Sequence, residues 1–600
     1  MTETVADIVA AHRARTSTPA QTVARSFRRI RDHNDPAIFI SLRDEAEAIA
    51  EAEALMATGD TSLPLYGVPF AVKDNIDVAG LPTTAACPAF SYNPTQDANT
   101  VARMRAAGAI VIGKTNLDQF ATGLVGVRSP YGIPINPVRK DLVPGGSSSG
   151  SAVAVSAGLV PLSLGTDTAG SGRVPAMLNN IVGLKPSLGL MSTFGVVPAC
   201  RTLDCVSIFS LTVDDAMIAL HAMAGYDGAD PYSRHRTVGA MSEFPAGLRI
   251  GVPRNGQLVF FGDKHSEKEY DNAIARLVAL GAKAVEFDLE PFYETAQLLY
   301  EGPWIAERYH VIRDLLANNP GAVHPVTREI TMAGAGKTAV DTFDAFYRLE
   351  AMKQISQKTF ATFDAMVLPT APTAYSVEQV LANPVDLNSR NGTYTNFVNL
   401  LDLCGLAVPA AMRADGIPFG ITLLAPAGHD SKLASIGRVF HHDTRLPVSA
   451  KKIPLPPLAP LSTTLGKGEV AIVAVGAHLS GMALNHELTT LGGRLIAATS
   501  TAPDYKLYAL KGTTPPKPGM LRASNGEGAA IQVEVWVLST KAFGTFVAAI
   551  PSPLSIGTVN LSDGTSAKGF LVEAAAIEGA RDITSFGGWR AFVAAQSKSP

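Results

Sequence analysis

The chemistry in this 600-residue chain gathers in one stretch, PGGSSSGSAVAVSAGLVPLSLGTDTAGSG, between Pro144 and Gly172. A flexible linker would be rich in glycine and serine too, but AVAVSAGLVPLSLG in its middle is an apolar run that must be buried. A phosphate loop of the GxxxxGK[ST] kind needs a lysine after its last glycine, and here Gly150 is followed by Ser151. The third reading is nucleophilic catalysis. A Gly-rich turn leading into a buried helix presents backbone N–H groups and small hydroxyls at one point, where an oxyanion can be stabilised. The second turn, GTDTAGSG, does the same around Ser171, and Gly170 and Gly172 leave room beside its hydroxyl for a carbonyl group. No histidine is evident for a Ser-His-Asp triad, and GxSxG is absent. A base must come from elsewhere. Lys73, closing the apolar run of VPFAVKDNIDV, is one candidate, because burial lowers a lysine's pKa readily. A surface lysine after a strand is the other reading of that residue, and composition leaves both open.

Elements must hold these groups in place. VADIVAAHRA, AQTVARSFRRIRDH and LRDEAEAIAEAEALMATGD carry apolar residues at helical spacing with a charged outer face. LYGVPFAVKDNIDVAG reads as a strand, followed by helix TVARMRAAGA, strand IVIGKTN and helix LDQFATGL, a rhythm that implies an α/β sheet under helical cover. Length alone suggests roughly four domains at about 150 residues each, though large mixed sheets use more chain. The clearest boundary is 446–465, LPVSAKKIPLPPLAPLSTTL, where five prolines favour a semi-rigid spacer. It divides a domain at 1–445 from a smaller α+β domain at 466–600, strand-rich in EVAIVAVGAHLSGM, AIQVEVWVL and GFLVEAAAI, with one helix at MALNHELTTLGG.

Fifty Lys plus Arg against 53 Asp plus Glu give a net charge of -3, so no basic field draws the chain to nucleic acid or an anionic membrane. A small-molecule partner is expected. Cys87, Cys200, Cys205 and Cys404 are too scattered for a disulfide framework and form no CxxC pair. With no leader-like start and no run of 18 apolar residues, a reducing, cytoplasmic location is expected. His441, His442 and Asp443 are neighbours whose side chains point apart, so neither metal nor cofactor is expected. Ala351, Met352 and Lys353 spell part of a biotin-attachment motif, but FYRLEAMKQISQKTF reads as helix where such a site needs a hairpin.

GVPFAVKDNI, the Gly/Ser-rich stretch continued as GRVPA, and NNIVGLKPSLG closely resemble the amidase signature family, whose enzymes use a Ser, cis-Ser, Lys triad. The resemblance covers about residues 20–440, including VLPTAPTA and LCGLAVPAA. It implies a mixed central β-sheet covered by helices, and a homodimer. Matched in order and spacing, the family's lysine falls on Lys73, its cis-serine on Ser147 and its nucleophile on Ser171, 24 residues further on. The backbone N–H groups of Thr168, Ala169, Gly170 and Ser171 are then the expected oxyanion hole. Asp167 is expected to hold that turn by local hydrogen bonds.

Two further features narrow the amide. LLYEGPWIAERYHVIRDLL reads as one helix, on which Tyr300 and Arg308 fall about 80° apart and could reach one cavity. An arginine there suits a carboxylate, although an arginine on a helix is more often solvated. YEGPWIAERY resembles the allophanate hydrolases within the family, where this pair recognises the substrate carboxylate. VAVGAHLSGMALNHEL, TSTAPDYKLYAL and PPKPGMLR resemble the extra domain of those enzymes, whose fold is of the γ-glutamylcyclotransferase type. The resemblance implies hydrolysis of allophanate (urea-1-carboxylate) to ammonia and N-carboxycarbamate, then carbon dioxide and a second ammonia, in urea degradation, with a separate urea carboxylase supplying allophanate. Another amidase, such as the glutaminase subunit of a tRNA amidotransferase, is the alternative. His478 is the candidate if the second domain does chemistry, by assisting decarboxylation. A histidine bonding the backbone at a helix start is the plainer reading.

Overall fold

The structure, a computed structural model, describes residues 3–245, 247–461, 465, 468–523 and 526–596. Residues 462–464 of the proline-rich stretch, and 466, 467, 524, 525 and 597–600 of the expected second domain, lie outside the described residues. The chain divides into two compact units, Met1–Val238 with Arg249–Leu458, and Gly239–Leu248 with Ala459–Pro600.

The first unit is built on an eleven-stranded mixed sheet: β1 (Phe39–Leu42), β2 (Pro69–Lys73), β3 (Ile110–Thr115), β4 (Leu162–Asp167), β5 (Val182–Lys185), β6 (Cys205–Ser210), β7 (Arg249–Pro253), β8 (Lys283–Phe287), β9 (Ala365–Pro369), β10 (Leu403–Met412) and β11 (Pro418–Pro426). Their order is β1-β3-β2-β4-β6-β5-β10-β11-β9-β7-β8. β2 lies parallel to β3 and β4, and β4 antiparallel to β6. Every residue of β2, β4 and β6 is buried, as expected of strands covered on both faces. Because β2 and β4 run in parallel, Lys73 at the end of one and Thr166–Asp167 at the end of the other emerge on the same side, the carboxyl ends of the strands.

Helix α1 (Ser149–Ser156) is buried on all sides and has no polar face to show. Its serines are engaged with neighbouring strands: Ser148 Oγ, just before it, donates to the Thr166 carbonyl at 3.1 Å, and Ser151 Oγ to that of Leu164 at 2.9 Å. Of the hydroxyls in GGSSSGS, these are occupied with structure.

Two local expectations fail. LDQFATGL forms only a short turn at Gln119–Ala121, with Phe120 and Ala121 at positive φ. The cause is Asp118, whose carboxylate accepts the amides of Gly126 and Arg128, both at 2.9 Å, and so competes with helix formation. LLYEGPWIAERYHVIRDLL is not one helix either. A first helix ends at Gln297 and α2 (Trp304–Asn318) begins after Gly302–Pro303, leaving Tyr300 in the intervening turn. Proline fits the start of a helix, but it cannot continue one without losing a hydrogen bond. The early part of the proline-rich stretch lies on the first unit: Val448 is buried and bridges Ile453, and Ser449 N donates to the Asn180 carbonyl at 2.8 Å.

The second unit holds β12 (Glu469–Ala474), β13 (Arg494–Ser500), β14 (Tyr505–Ala509), β15 (Pro518–Arg522), β16 (Gln532–Ser539), β17 (Leu554–Asn560), β18 (Ser566–Val572) and β19 (Arg581–Asp582). A five-stranded sheet, β13-β16-β12-β18-β17, and a three-stranded one, β15-β14-β19, share an apolar core that includes Trp536, Phe546 and Trp589. Besides the expected helix at Asn485–Thr490, Thr540–Ala548 and Trp589–Gln596 are helical. Among the described residues of the chain, no helix is long and apolar enough to cross a membrane.

Candidate active site

Three side chains from three segments form a chain of hydrogen bonds. Lys73 Nζ lies 2.8 Å from Ser147 Oγ, and Ser147 Oγ lies 2.9 Å from Ser171 Oγ. The Gly146–Ser147 peptide is cis. Lys73 is fully buried and donates a second bond to Thr166 Oγ1 at 2.7 Å. Burial lowers its pKa to about 7, against the opposing pull of Asp118, Asp204 and Asp167 and with a lesser push from Arg308 in the same direction. An ammonium that loses its proton near neutrality can accept one from a hydroxyl.

The turn carrying Ser171 is held from inside. Asp167 accepts the amides of Gly170 at 2.9 Å and Gly172 at 3.0 Å, and Arg173 closes on the same carboxylate through Nε at 2.9 Å and Nη2 at 3.0 Å. Burial opposes the charge on Asp167, but Arg173, Lys185 and the Gly172 amide outweigh it and hold the carboxyl below its usual range. Two expectations change here. The Gly170 amide is bonded to Asp167 and does not point free into an oxyanion hole, whereas those of Ala169 and Ser171 have no acceptor among the described residues. The glycines do not leave room for substrate: a Cβ on Gly170 would strike Thr395, one on Gly172 would strike Ser207, and one on Gly146 would land on the Asp118 carboxylate. They permit close packing of the protein on itself.

Arg308 and Tyr300 do meet, by a different route from the one expected. The turn before α2 folds back, placing the guanidinium carbon 5.5 Å from the centre of the Tyr300 ring. Arg308 is buried, with Nη1 bonded to Thr122 Oγ1 at 3.0 Å and to the Ala121 carbonyl at 3.3 Å. Its Nε and Nη2 are buried and have no partner among the described residues. That edge is the one Arg173 presents to Asp167, the edge that grips a carboxylate in bidentate fashion.

The profile of the amidase family matches residues 21–434. The chain belongs to the amidase family. A second profile, the allophanate hydrolase C-terminal domain, matches residues 470–594. The urea amidolyase of Lachancea kluyveri is 42% identical over 580 residues, covering 93% of this chain and 31% of its own length. The chain spans about a third of the length of the urea amidolyases it matches. Among solved structures, the allophanate hydrolase of Kluyveromyces lactis superposes with a TM-score of 0.82 at 42% identity, covering 99% of each chain. The A-type component of the glutamyl-tRNA(Gln) amidotransferase of Symbiobacterium thermophilum is 36% identical over 437 residues, covering 66% of this chain and 88% of the relative.

In the second unit of this amidase, His478 is mostly buried and its Nε2 lies 2.8 Å from Glu487 Oε2, not on a helix-start amide. Its ring stacks on Phe570 at 4.9 Å, and burial lowers its pKa against the opposing pull of Glu487. Nearby, buried Glu534 accepts Ser480 N at 2.7 Å and Arg590 Nη2 at 2.6 Å. Among the described residues no cluster of three or more His, Cys, Asp or Glu could hold a metal ion. Sequence reasoning missed Arg173, Asp118, Thr166 and Asp204. Arg173 had a signal, a lone charge two residues beyond Ser171 in an otherwise apolar run. Thr166 and Asp204 reach the site only through sheet order.

Proposed function

We propose that the chain hydrolyses the terminal amide of allophanate, with Ser171 as nucleophile, Ser147 as proton relay and Lys73 as base. The observation that carries the substrate is the buried, unpartnered Nε/Nη2 edge of Arg308 beside Tyr300. An unpaired guanidinium edge is costly to bury unless an anion completes it, and allophanate is a small amide with a carboxylate.

Ser171 Oγ attacks the amide carbon as its proton passes to Ser147 Oγ, and the Ser147 proton passes to neutral Lys73 Nζ. The amides of Ala169 and Ser171 are the donors suited to the oxyanion. Returned by the same relay, the proton goes to the departing nitrogen, and ammonia leaves. Water then attacks the acyl-serine and releases N-carboxycarbamate, which goes on to carbon dioxide and a second ammonia. A separate urea carboxylase supplies allophanate in this reading. The chain acts in the cytoplasm as a homodimer, with domains at 1–445 and 466–600, and His478 assists the later decarboxylation. The alternative of an amidotransferase component is disfavoured because the relative of that kind leaves a third of this chain unmatched.

The test measures ammonia release from allophanate, malonamate, glutamine and simple aliphatic amides by the wild type, Ser171→Ala and Arg308→Ala. Allophanate and malonamate should be turned over by the wild type alone. Undiminished turnover of allophanate by Arg308→Ala would remove the carboxylate claim, and no activity on any amide would remove the enzyme claim.

A further inference from the structure

One short segment, Ala199–Asp204, is tied at one end to the nucleophile turn and at the other to the helix that carries Arg308. Asp204 is buried. Its Oδ1 accepts the hydroxyl of Thr168 and the Cys200 amide at 3.2 Å, and its Oδ2 accepts the Ala199 amide at 2.8 Å. Thr168 leads from β4 into the turn that bears Ser171. At the other end, Thr202 Oγ1 donates to Glu307 Oε2 at 2.8 Å, and the Cys200 thiol donates to the Trp304 carbonyl at 3.5 Å. Trp304 and Glu307 both lie in the first turn of α2, and Glu307 directly precedes Arg308. Asn399 Nδ2 adds a clamp, donating to the carbonyls of Asp167 and Leu203, both at 2.8 Å. Ala169, Cys200, Leu203 and Trp304 share one apolar cluster, against which Tyr300 packs.

We propose that Ala199–Asp204 is a spacer fixing the distance between Ser171 and Arg308, and that Thr202 and Asp204 are positioning residues that set the length of the anionic amide accepted. This rests on the carboxylate reading of Arg308. A substrate so held has two fixed points, its amide carbon at Ser171 and its carboxylate at Arg308. In allophanate, and in its isostere malonamate, one atom separates those two carbons; in succinamate two do. The added methylene shifts the reacting carbon by about 1 Å, and a misplacement of that size can cost on the order of 100-fold in rate. Such discrimination survives only if the first turn of α2 cannot move away from the nucleophile turn. The bonds from Thr202 and Asp204 resist that movement from both ends.

The test compares kcat and KM for malonamate, succinamate and neutral propionamide in the wild type, Thr202→Val, Thr202→Ser and Asp204→Asn, with a thermal melt of each. Thr202→Val keeps the side chain's shape and frees Glu307. The wild type should favour malonamate over succinamate by roughly 100-fold, and Thr202→Val should cut that ratio about tenfold, through a higher KM for malonamate and a sustained kcat for succinamate. Thr202→Ser should restore the ratio, and propionamide turnover should be the same in all Thr202 variants. A ratio unchanged in Thr202→Val, or a parallel loss on all three substrates, overturns the proposal. If Asp204→Asn does not fold, the Thr202 pair decides. A wild type that handles propionamide as well as malonamate would instead overturn the carboxylate reading itself.

Discussion

Arg173 grips Asp167 through Nε at 2.9 Å and Nη2 at 3.0 Å, and neither side chain is exposed to solvent. Asp167 in turn holds the amides of Gly170 and Gly172, so the pair sets the shape of the turn on both sides of Ser171. Removing one member leaves a buried charge alone. Arg173→Met is expected to destabilise the fold by about 3–5 kcal/mol in urea melts and to lower kcat as the turn loosens. Arg173→Met with Asp167→Asn, which leaves no lone charge, should recover much of the stability without the activity. Equal stability losses in the single and double variants would show that the ion pair is not what holds the turn.

Lys73 gives the pH dependence a definite sign. Its pKa, lowered to about 7, means that the neutral amine needed to accept a proton is scarce below pH 7 and predominates above it. The acidic limb of kcat/KM for malonamate should therefore rise with a midpoint near 7, and Lys73→Arg, which cannot deprotonate, should be inactive at every pH. Stability runs with the same linkage. The unfolded lysine titrates near 10.4, so between about 7 and 10.4 the unfolded state binds more protons and the penalty of the buried charge shrinks as pH rises. Lys73→Met should be more stable than the wild type at pH 6 by several kcal/mol, at about 1.4 kcal/mol per pKa unit, and the gap should close by about pH 10. A pH-independent gap would place the lysine's effect in packing.

Arg308 tests whether the anion is read by geometry or by charge alone. Arg308→Lys keeps the charge and loses the two-pronged edge, so kcat/KM for malonamate should fall on the order of 100-fold while that for propionamide changes little. A lysine variant as selective as the wild type would mean that charge suffices.

What could be read from residues alone follows how local the cause is. Ser147 and Ser171 lie in one Gly/Ser-rich run and Lys73 closes an apolar strand, but composition leaves other readings of both open, and it is the resemblance to the amidase signature family that singles out the three residues. Asp167 as the brace of its own turn is equally local. Thr166 reaches Lys73 across 93 positions and Asp204 reaches Thr168 across 36, contacts made by the order β2-β4-β6 that no periodicity encodes. Asp118 is hidden differently: LDQFATGL has helical spacing, but a side-chain carboxylate captures the backbone donors first. Tyr300 and Arg308 do pair, but with Tyr300 in the turn before the helix that carries Arg308, because a chain that folds back can bring together what a straight helix would only align.

Gly146 carries a steric prediction. An added methyl would land on the Asp118 carboxylate and crowd the amides of Val125 and Gly126. Gly146→Ala is therefore expected to cost about 1–3 kcal/mol and to displace Ser147, whose carbonyl accepts the Asp118 amide at 3.0 Å. Activity should fall further than stability. Loss of both in proportion, tracked by activity against fraction folded, would assign the glycine to folding alone.

His478 is the last group with an open role. Its bond to Glu487 orients the ring, and burial beside Phe570 and Phe546 favours the neutral form, which leaves a base rather than a permanent cation. If it assists decarboxylation of N-carboxycarbamate, His478→Asn should leave the first ammonia release unchanged while N-carboxycarbamate persists longer, as followed by carbon-13 NMR with labelled allophanate. Glu487→Gln should produce a weaker version of the same lag, because it loosens the ring without removing it. A structural role predicts otherwise: both variants would lower the melting temperature and leave the carbon species decaying at the wild-type rate. The two readings thus separate on which product accumulates, not on total activity.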